Sequence, residues 1–417
     1  MATKVIETAE QGWRRAATRP SLPEVFSSLP VPSSATFLRK LLAFAGPGFL
    51  VAVGYMDPGN WATDLAAGSR YNYTLLSVIM ISNLMAILLQ SLAIKLGVVT
   101  GRDLAAACRD HFSRPINFVL WGAAEIAIAA CDLAEVIGSA IALNLIFHIP
   151  LLLGVCLTAL DVLIILFLQQ KGFRFLEALV VSLIATVSVC FGLEILFSRP
   201  SLAGLAHSFF VPSPQILRDP GMLYIAIGIL GATLTIDSTI ALTIALFVNA
   251  AILIVSAASF YRNGYHQIAE IQDAYKLLTP LLGVTGASTV FALALLASGQ
   301  NSTLTGTLAG QIVMEGFLNI RLRPWLRRLL TRSLAIIPAV IVTALSGEAG
   351  TAKLLVLSQV ILSMQLSFAV FPLVMFTSDK QKMGEFVNPR WLKTLSWVTA
   401  AFIAILNAWL LVQTFRT

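Results

Sequence analysis

The chain has 417 residues, of which 57% are hydrophobic and only 12% charged, with a mean hydropathy of +0.84. Soluble proteins carry about 25% charged residues, so a set of water-soluble domains is excluded and a polytopic helical membrane protein is expected. The net charge of +7 is therefore read as a topological signal, and no run of basic residues has the look of a nucleic-acid patch.

In chain order, residues 1–40 form a polar tail containing Lys4, Arg14, Arg15, Arg19, Arg39 and Lys40, without the apolar core of a signal peptide. The tail is expected in the cytosol. Residues 41–417 are expected to form one membrane domain, with apolar segments at about 42–68, 73–99, 116–146, 150–169, 176–197, 222–259, 286–314, 333–346, 354–377 and 392–414. If the first crosses outward, one set of gaps holds most cations: Lys95, Arg102, Arg109 and Arg114; then Lys171 and Arg174; then Arg321, Arg323, Arg327, Arg328 and Arg332; then Lys380, Lys382, Arg390 and Lys393. These gaps share the tail's side, as the positive-inside rule requires.

The alternation holds only if 222–259 returns to its starting side. Two full crossings need about 40 residues and a turn, more than the segment contains. Thr235, Asp237, Ser238 and Thr239 supply the turn, which leaves Met222–Leu234 as half a span and Ile240–Phe260 as a whole one. The expected architecture is thus all-α with about eleven segments, the sixth truncated. One continuous helix through Asp237 would run about 57 Å at 1.5 Å per residue and invert everything downstream.

The first span is interrupted by Asp57-Pro58-Gly59-Asn60. Pro58 lacks a donor and Gly59 tolerates unusual dihedrals, so the helix should unwind and leave carbonyls, notably near Gly54, without partners. An unwound stretch at membrane depth persists where it lines a polar cavity. Asp57 and Asn60 add oxygens to those carbonyls, the start of a hard cation site, although either residue could also cap the second half-helix. In the third span Glu125, Asp132 and Glu135 recur at helical spacing along one face. That arrangement suits a proton relay, and equally a salt bridge to an arginine such as Arg332.

The remaining polar positions point to packing or interfaces. Gly306 and Gly310 have the spacing of close helix contact, and Gln359 and Gln365 could complete a polar cavity. Cys108, Cys131, Cys156 and Cys190 lack metal-ligand spacing. His111, His148, His207 and His266 fall near segment ends, and Glu270 with Asp273 is expected to cap or gate an external loop. No loop carries a nucleophile-base set or nucleotide motif, so an enzyme is not expected.

GPGFLVAVGYMDPGNWATDLAAG, CDLAEVIGSAIAL, EIQDAYKLLTPLLG, LLASGQNSTLTGTLAGQIVMEGF and SQVILSMQLSFAVFPLVMFTSD together resemble the Nramp family, the natural resistance-associated macrophage proteins. The resemblance runs from about residue 41 to the C-terminus. It implies a LeuT-like inverted repeat, the first repeat about 41–197 and the second about 222–377, with an extra helix at 392–414. It further implies proton-coupled import of Mn²⁺ or Fe²⁺ through a cell membrane, with no tightly bound cofactor; metal ions and protons are the partners, beside the lipid bilayer. By this resemblance the metal ligands are Asp57, Asn60 and the carbonyls of Gly54 and Ala232, with Gln359 accessory. Glu125, Asp132 and Glu135 form the proton route, and Arg332, or a neighbour in LRRLLTR, its cytosolic end.

One departure stands out. In the family the sixth helix continues from glycine-alanine-threonine to methionine-proline-histidine and a second half-helix. Here GILGATLT runs directly into IDSTIALTIALFVNA, and that motif, half-helix and loop are missing. A thioether favours transition metals over calcium and magnesium, whereas the remaining ligands are hard oxygens. A non-transporting decayed paralogue or a metal-sensing scaffold is therefore the alternative function. An amino-acid transporter of the same architecture is a weaker one, against which Asp57 counts.

Overall fold

The computed structural model of the protein describes residues 12–16, 36, 54, 56–160, 173–233, 239–268, 270–320 and 322–414, and those residues are helical or in connecting turns. The membrane domain begins, in its described part, with α1 (Pro58–Tyr71), then α2 (Leu76–Thr100), the short α3 (Leu104–His111), α4 (Arg114–Phe147) and α5 (Leu151–Leu157). Next come α6 (Phe173–Ser198), the short helices α7 (Leu202–Phe210) and α8 (Gln215–Arg218), α9 (Pro220–Thr233) and α10 (Thr239–Ser259). The second half is completed by α11 (Ile271–Leu282), α12 (Ala287–Leu318), α13 (Pro324–Thr377), α14 (Lys380–Met383) and α15 (Arg390–Thr414).

Among the described residues seven helical stretches are long and apolar enough to cross a membrane, and two shorter apolar helices, Leu151–Leu160 and Pro220–Leu230, accompany them. The α12 helix has the length as well, and interrupts its apolar sequence with Gln300, Asn301, Gln311 and Glu315. Within α13, Gly347 adopts φ 59°, ψ −142°. This left-handed conformation is accessible to glycine and divides the helix into the two separate segments expected at 333–346 and 354–377. The odd segment 222–259 is likewise two helices, α9 and α10, rather than one. The turn assigned to Thr235, Asp237 and Ser238 lies outside the described residues.

The core lies where α4 runs between α12 and α13, and where α1 packs against α10 and α9. Ala134, Val136, Ile137 and Ala140 of α4 and Ala245, Ile252 and Leu253 of α10 are fully enclosed. Trp61, in the first turn of α1, is buried between Phe191 of α6 and Phe291 of α12, at ring distances of 4.8 and 5.1 Å. Large apolar side chains remain exposed around the bundle, including Val98, Val119, Leu196, Leu345 and Ile405. A belt of this kind fits hydrocarbon as its solvent.

Candidate functional site

Two polar centres lie inside this apolar bundle. The first is the start of α1. Asp57 occupies the N-cap in extended conformation (φ −70°, ψ 159°), and Pro58 follows at the first helical position, where its missing N–H costs nothing. One Asp57 carboxylate oxygen accepts from the Asn60 N–H at 3.1 Å. The capping and ligand readings of Asp57 are thus compatible, because the cap engages Oδ1 and leaves Oδ2 to accept from Gln359 Nε2 at 3.2 Å. Asp57, Asn60 and Gln359 are all buried. Gln359 comes from the second limb of α13 and reaches so far that any Cβ at Gly59 would overlap its amide.

Further contacts hold this helix start in place. Ser298 of α12 donates to the Met56 carbonyl, and Thr63 Oγ1 donates to the Asn60 carbonyl at 2.9 Å. Gly54 lies half-buried three residues before Asp57. Ala232 belongs to the last turn of α9, and Gly228, one turn earlier, faces Thr63: a Cβ there would stand 3.1 Å from the threonine methyl. Among the described residues no three His, Cys, Asp or Glu side chains converge as a metal centre. Among the described residues the oxygen groups at the start of α1 are the Asp57 carboxylate, side-chain amides and backbone carbonyls.

The second centre is the polar face of α4. Glu135 is fully buried and accepts from Ser302 Oγ at 2.8 Å, while Arg332 Nη1 lies 3.3 Å from its other oxygen. Arg332 also donates to Thr303 Oγ1 at 3.4 Å. Glu125 pairs with Arg327 at 2.6 Å and accepts from the Trp121 indole N–H at 2.9 Å. Asp132, one turn before Glu135, is equally buried. The salt-bridge reading of this face is met at both glutamates. Arg332 is buried beside Glu135, at the enclosed end of the row. Its neighbour in LRRLLTR, Arg327, pairs with the partly exposed Glu125 at the outer end.

The glycines on α12 also have a role other than the expected helix-to-helix contact. A Cβ at Gly306 would stand 3.0 Å from Glu135 Oε1 and 3.6 Å from Asp132 Oδ1, and one at Gly310 would stand 3.2 Å from Arg327 Nη2. Their missing side chains make room for the carboxylates and the guanidinium. Ser298, Ser302 and Thr303 carry no signal of this role in the sequence, although Ser298 and Ser302 recur at helical spacing. Asp64 was also missed: it lies seven residues beyond Asp57, buried, with Oδ2 lacking a hydrogen-bond partner among the described residues. Outside these centres Asp273 pairs with Lys276 at 3.6 Å on the surface, Glu270 stands at the N-cap of α11, and His266 meets the Tyr261 ring edge to face.

A bundle of apolar helices with a capped helix start at its centre and a buried carboxylate row beside it defines a polytopic transporter. The family profile described as natural resistance-associated macrophage protein-like matches residues 48–236 and 234–413, and the chain belongs to that Nramp family, one of transporters and not enzymes. It is 61% identical to the divalent metal cation transporter MntH of Listeria welshimeri serovar 6b, with 100% of both chains covered. It is 63% identical to the protein of the same name from Nostoc sp. strain PCC 7120, with 95% of this chain and 96% of the relative covered. The crystal structure of the Eremococcus coleocola manganese transporter, with a bis-isothiourea compound bound, superposes with a TM-score of 0.85 at 40% identity, covering 93% of this chain and 90% of that one. The LeuT-like fold follows from this likeness. The family match divides at 234–236, and the Listeria alignment extends over 448 positions against 417 residues here, so this chain lacks residues that its relative has.

Proposed function

We propose that this protein transports divalent metal cations across a cell membrane, Mn²⁺ and Fe²⁺ by likeness to its relatives, coupled to protons and with its tail in the cytosol. The observation that carries this reading is Asp57: a buried carboxylate at a helix start, held by an amide N–H and by Gln359. Among the described residues no lysine or arginine pairs with it. A charge so placed is costly, and a passing cation offsets the cost. Asp57 and Asn60 would bind the ion, joined by the Gly54 and Ala232 carbonyls, and Gln359 would orient the carboxylate.

Glu135, Asp132 and Glu125 would pass protons, with the two arginines as their counter-ions. Protonating Glu135 removes the charge that holds Arg332, so the pair opens when a proton arrives. The shortened sixth helix leaves hard oxygen ligands only, which weakens discrimination against calcium and magnesium before it abolishes binding.

The test is metal uptake into proteoliposomes under an imposed pH gradient, comparing the native chain with Asp57→Ala. Uptake that depends on Asp57 and rises with the gradient is expected. Equal rates for the two proteins would end the transport reading and leave a scaffold that keeps the fold without moving ions.

A further inference from the structure

Outside the two polar centres, the most developed polar feature is built around residues 12–16. Trp13 is held between cations and rings: Arg102 Cζ lies 4.7 Å and Lys382 Nζ 5.2 Å from its ring centre, and the Phe376 ring lies 5.4 Å away. The backbone N–H groups of Arg14 and Arg15 both donate to the Asp110 carbonyl, at 2.9 and 3.2 Å. This docking places Arg15 on the wall of a cavity of about 470 Å³ whose lining also includes Arg109, Asp110, Arg114, Asn117 and Phe118.

Among the described residues the charges lining that cavity do not balance. Asp110 is shared between Arg102 and Arg109, at 2.9 and 3.0 Å, and Arg109 also donates to the Gly316 carbonyl at 2.7 Å. Among the described residues neither Arg15 nor Arg114 has a carboxylate partner. The cavity also takes its wall from the first turn of α4, which adds the positive end of that helix. On the outer side of the same turns, Ile116, Phe118 and Val119 are exposed at 49%, 60% and 64%. A cationic cradle thus adjoins an apolar face at the point where α4 enters the bundle.

We infer that this cavity holds the phosphate headgroup of an anionic phospholipid, with the acyl chains lying along Phe118 and Val119. The two unpaired arginines supply the charge complement, and the adjoining apolar face selects a lipid over a free anion. The bound lipid would join the docked tail to α4, because Arg15 comes from one and Arg114 from the other. This interaction is independent of transport at Asp57.

The experiment is native mass spectrometry of the full-length protein with phosphatidylglycerol or phosphatidylcholine of identical acyl chains, alongside Arg15→Gln, the Arg15→Gln/Arg114→Gln pair, and Arg323→Gln as an exposed arginine outside the cavity. The native protein should retain phosphatidylglycerol over phosphatidylcholine by about tenfold. That preference should shrink in Arg15→Gln, vanish in the pair and persist in Arg323→Gln. Arg15 belongs to the tail, so its single variant remains informative even if the pair fails to fold. An undiminished preference in Arg15→Gln overturns the proposal, as does an equal loss in Arg323→Gln. Displacement of the lipid by inorganic phosphate alone would also overturn it, by making the occupant a free anion.

Discussion

Asp57 and Glu135 are both buried carboxylates in the same bundle, and their surroundings differ in one decisive respect. Glu135 has a fixed cation, Arg332, and a hydroxyl donor, Ser302. Among the described residues the donors to Asp57 are neutral, the Asn60 N–H and the Gln359 amide among them. A carboxylate supplied with its own arginine has no call for a second cation, and the event open to it is protonation. One supplied only with dipoles remains available to a cation that comes and goes. On the proposed reading the bundle thereby separates two tasks, metal binding and proton transfer, that would compete if they shared one residue.

Several measurements can break or sharpen that contrast. The largest effect is expected at Asp57: Asp57→Ala should lower metal uptake by more than about 100-fold, with the folded protein unchanged in gel filtration. Next is Arg332→Gln, which leaves Glu135 buried without its guanidinium and should cost about 3–5 kcal/mol of stability. Denaturant unfolding would measure the loss, and adding Glu135→Gln should restore much of it. If the pair of changes costs the sum of the singles, Arg332 and Glu135 are not energetically coupled and the contrast fails.

Gln359→Ala should raise the apparent KM for metal by about tenfold with little loss of stability, since it removes the oriented amide and spares the carboxylate. Gly306→Ala is expected to cost about 1 kcal/mol by crowding Glu135, and to change the pH dependence of uptake more than its metal dependence. The smallest effect concerns the docked tail. Burial, with Lys382 and Arg14 nearby, lowers the His111 pKa, with Asp379 opposing. At Asp379 burial acts upward, but the Lys382 and Gln381 hydrogen bonds outweigh it and set the pKa below the usual value.

Both groups bind protons less readily in the docked state, so docking should weaken as pH falls. The His111 share is lost below about pH 6.5, and the Asp379 share only beneath the ordinary carboxylate range. Hydrogen-exchange protection at Arg14 and Arg15, corrected for intrinsic rates, should fall about two- to fivefold between pH 7 and 5. Constant protection would remove His111 from the tail's contacts.

Much of this architecture was legible from residue patterns. The length of apolar runs located the helices, and the Asp57-Pro58-Gly59-Asn60 run located the start of α1, because proline and glycine act through the backbone alone. Pairings between distant elements were not legible. Nothing in the spacing says that Glu125 meets Arg327 and Glu135 meets Arg332, since two arginines five residues apart on α13 compete for the same face of α4 until the helices are docked. The glycines of α12 were read as a contact seam for the same reason: a missing side chain shows that space is kept, and only the neighbouring helix shows for what. Trp13, in a tail with no periodicity, gave no sign of its partners.

Those partners also bear on how the protein is made. Trp13 leaves the ribosome long before Phe376 and Lys382, yet it rests against both. Synthesis proceeds from the N-terminus, so this contact has to wait until the helices from α1 to α13 have been made. The seated tail is in effect a signature that this stretch is in place, and a nascent chain stalled before residue 376 would leave it loose for a protease to find.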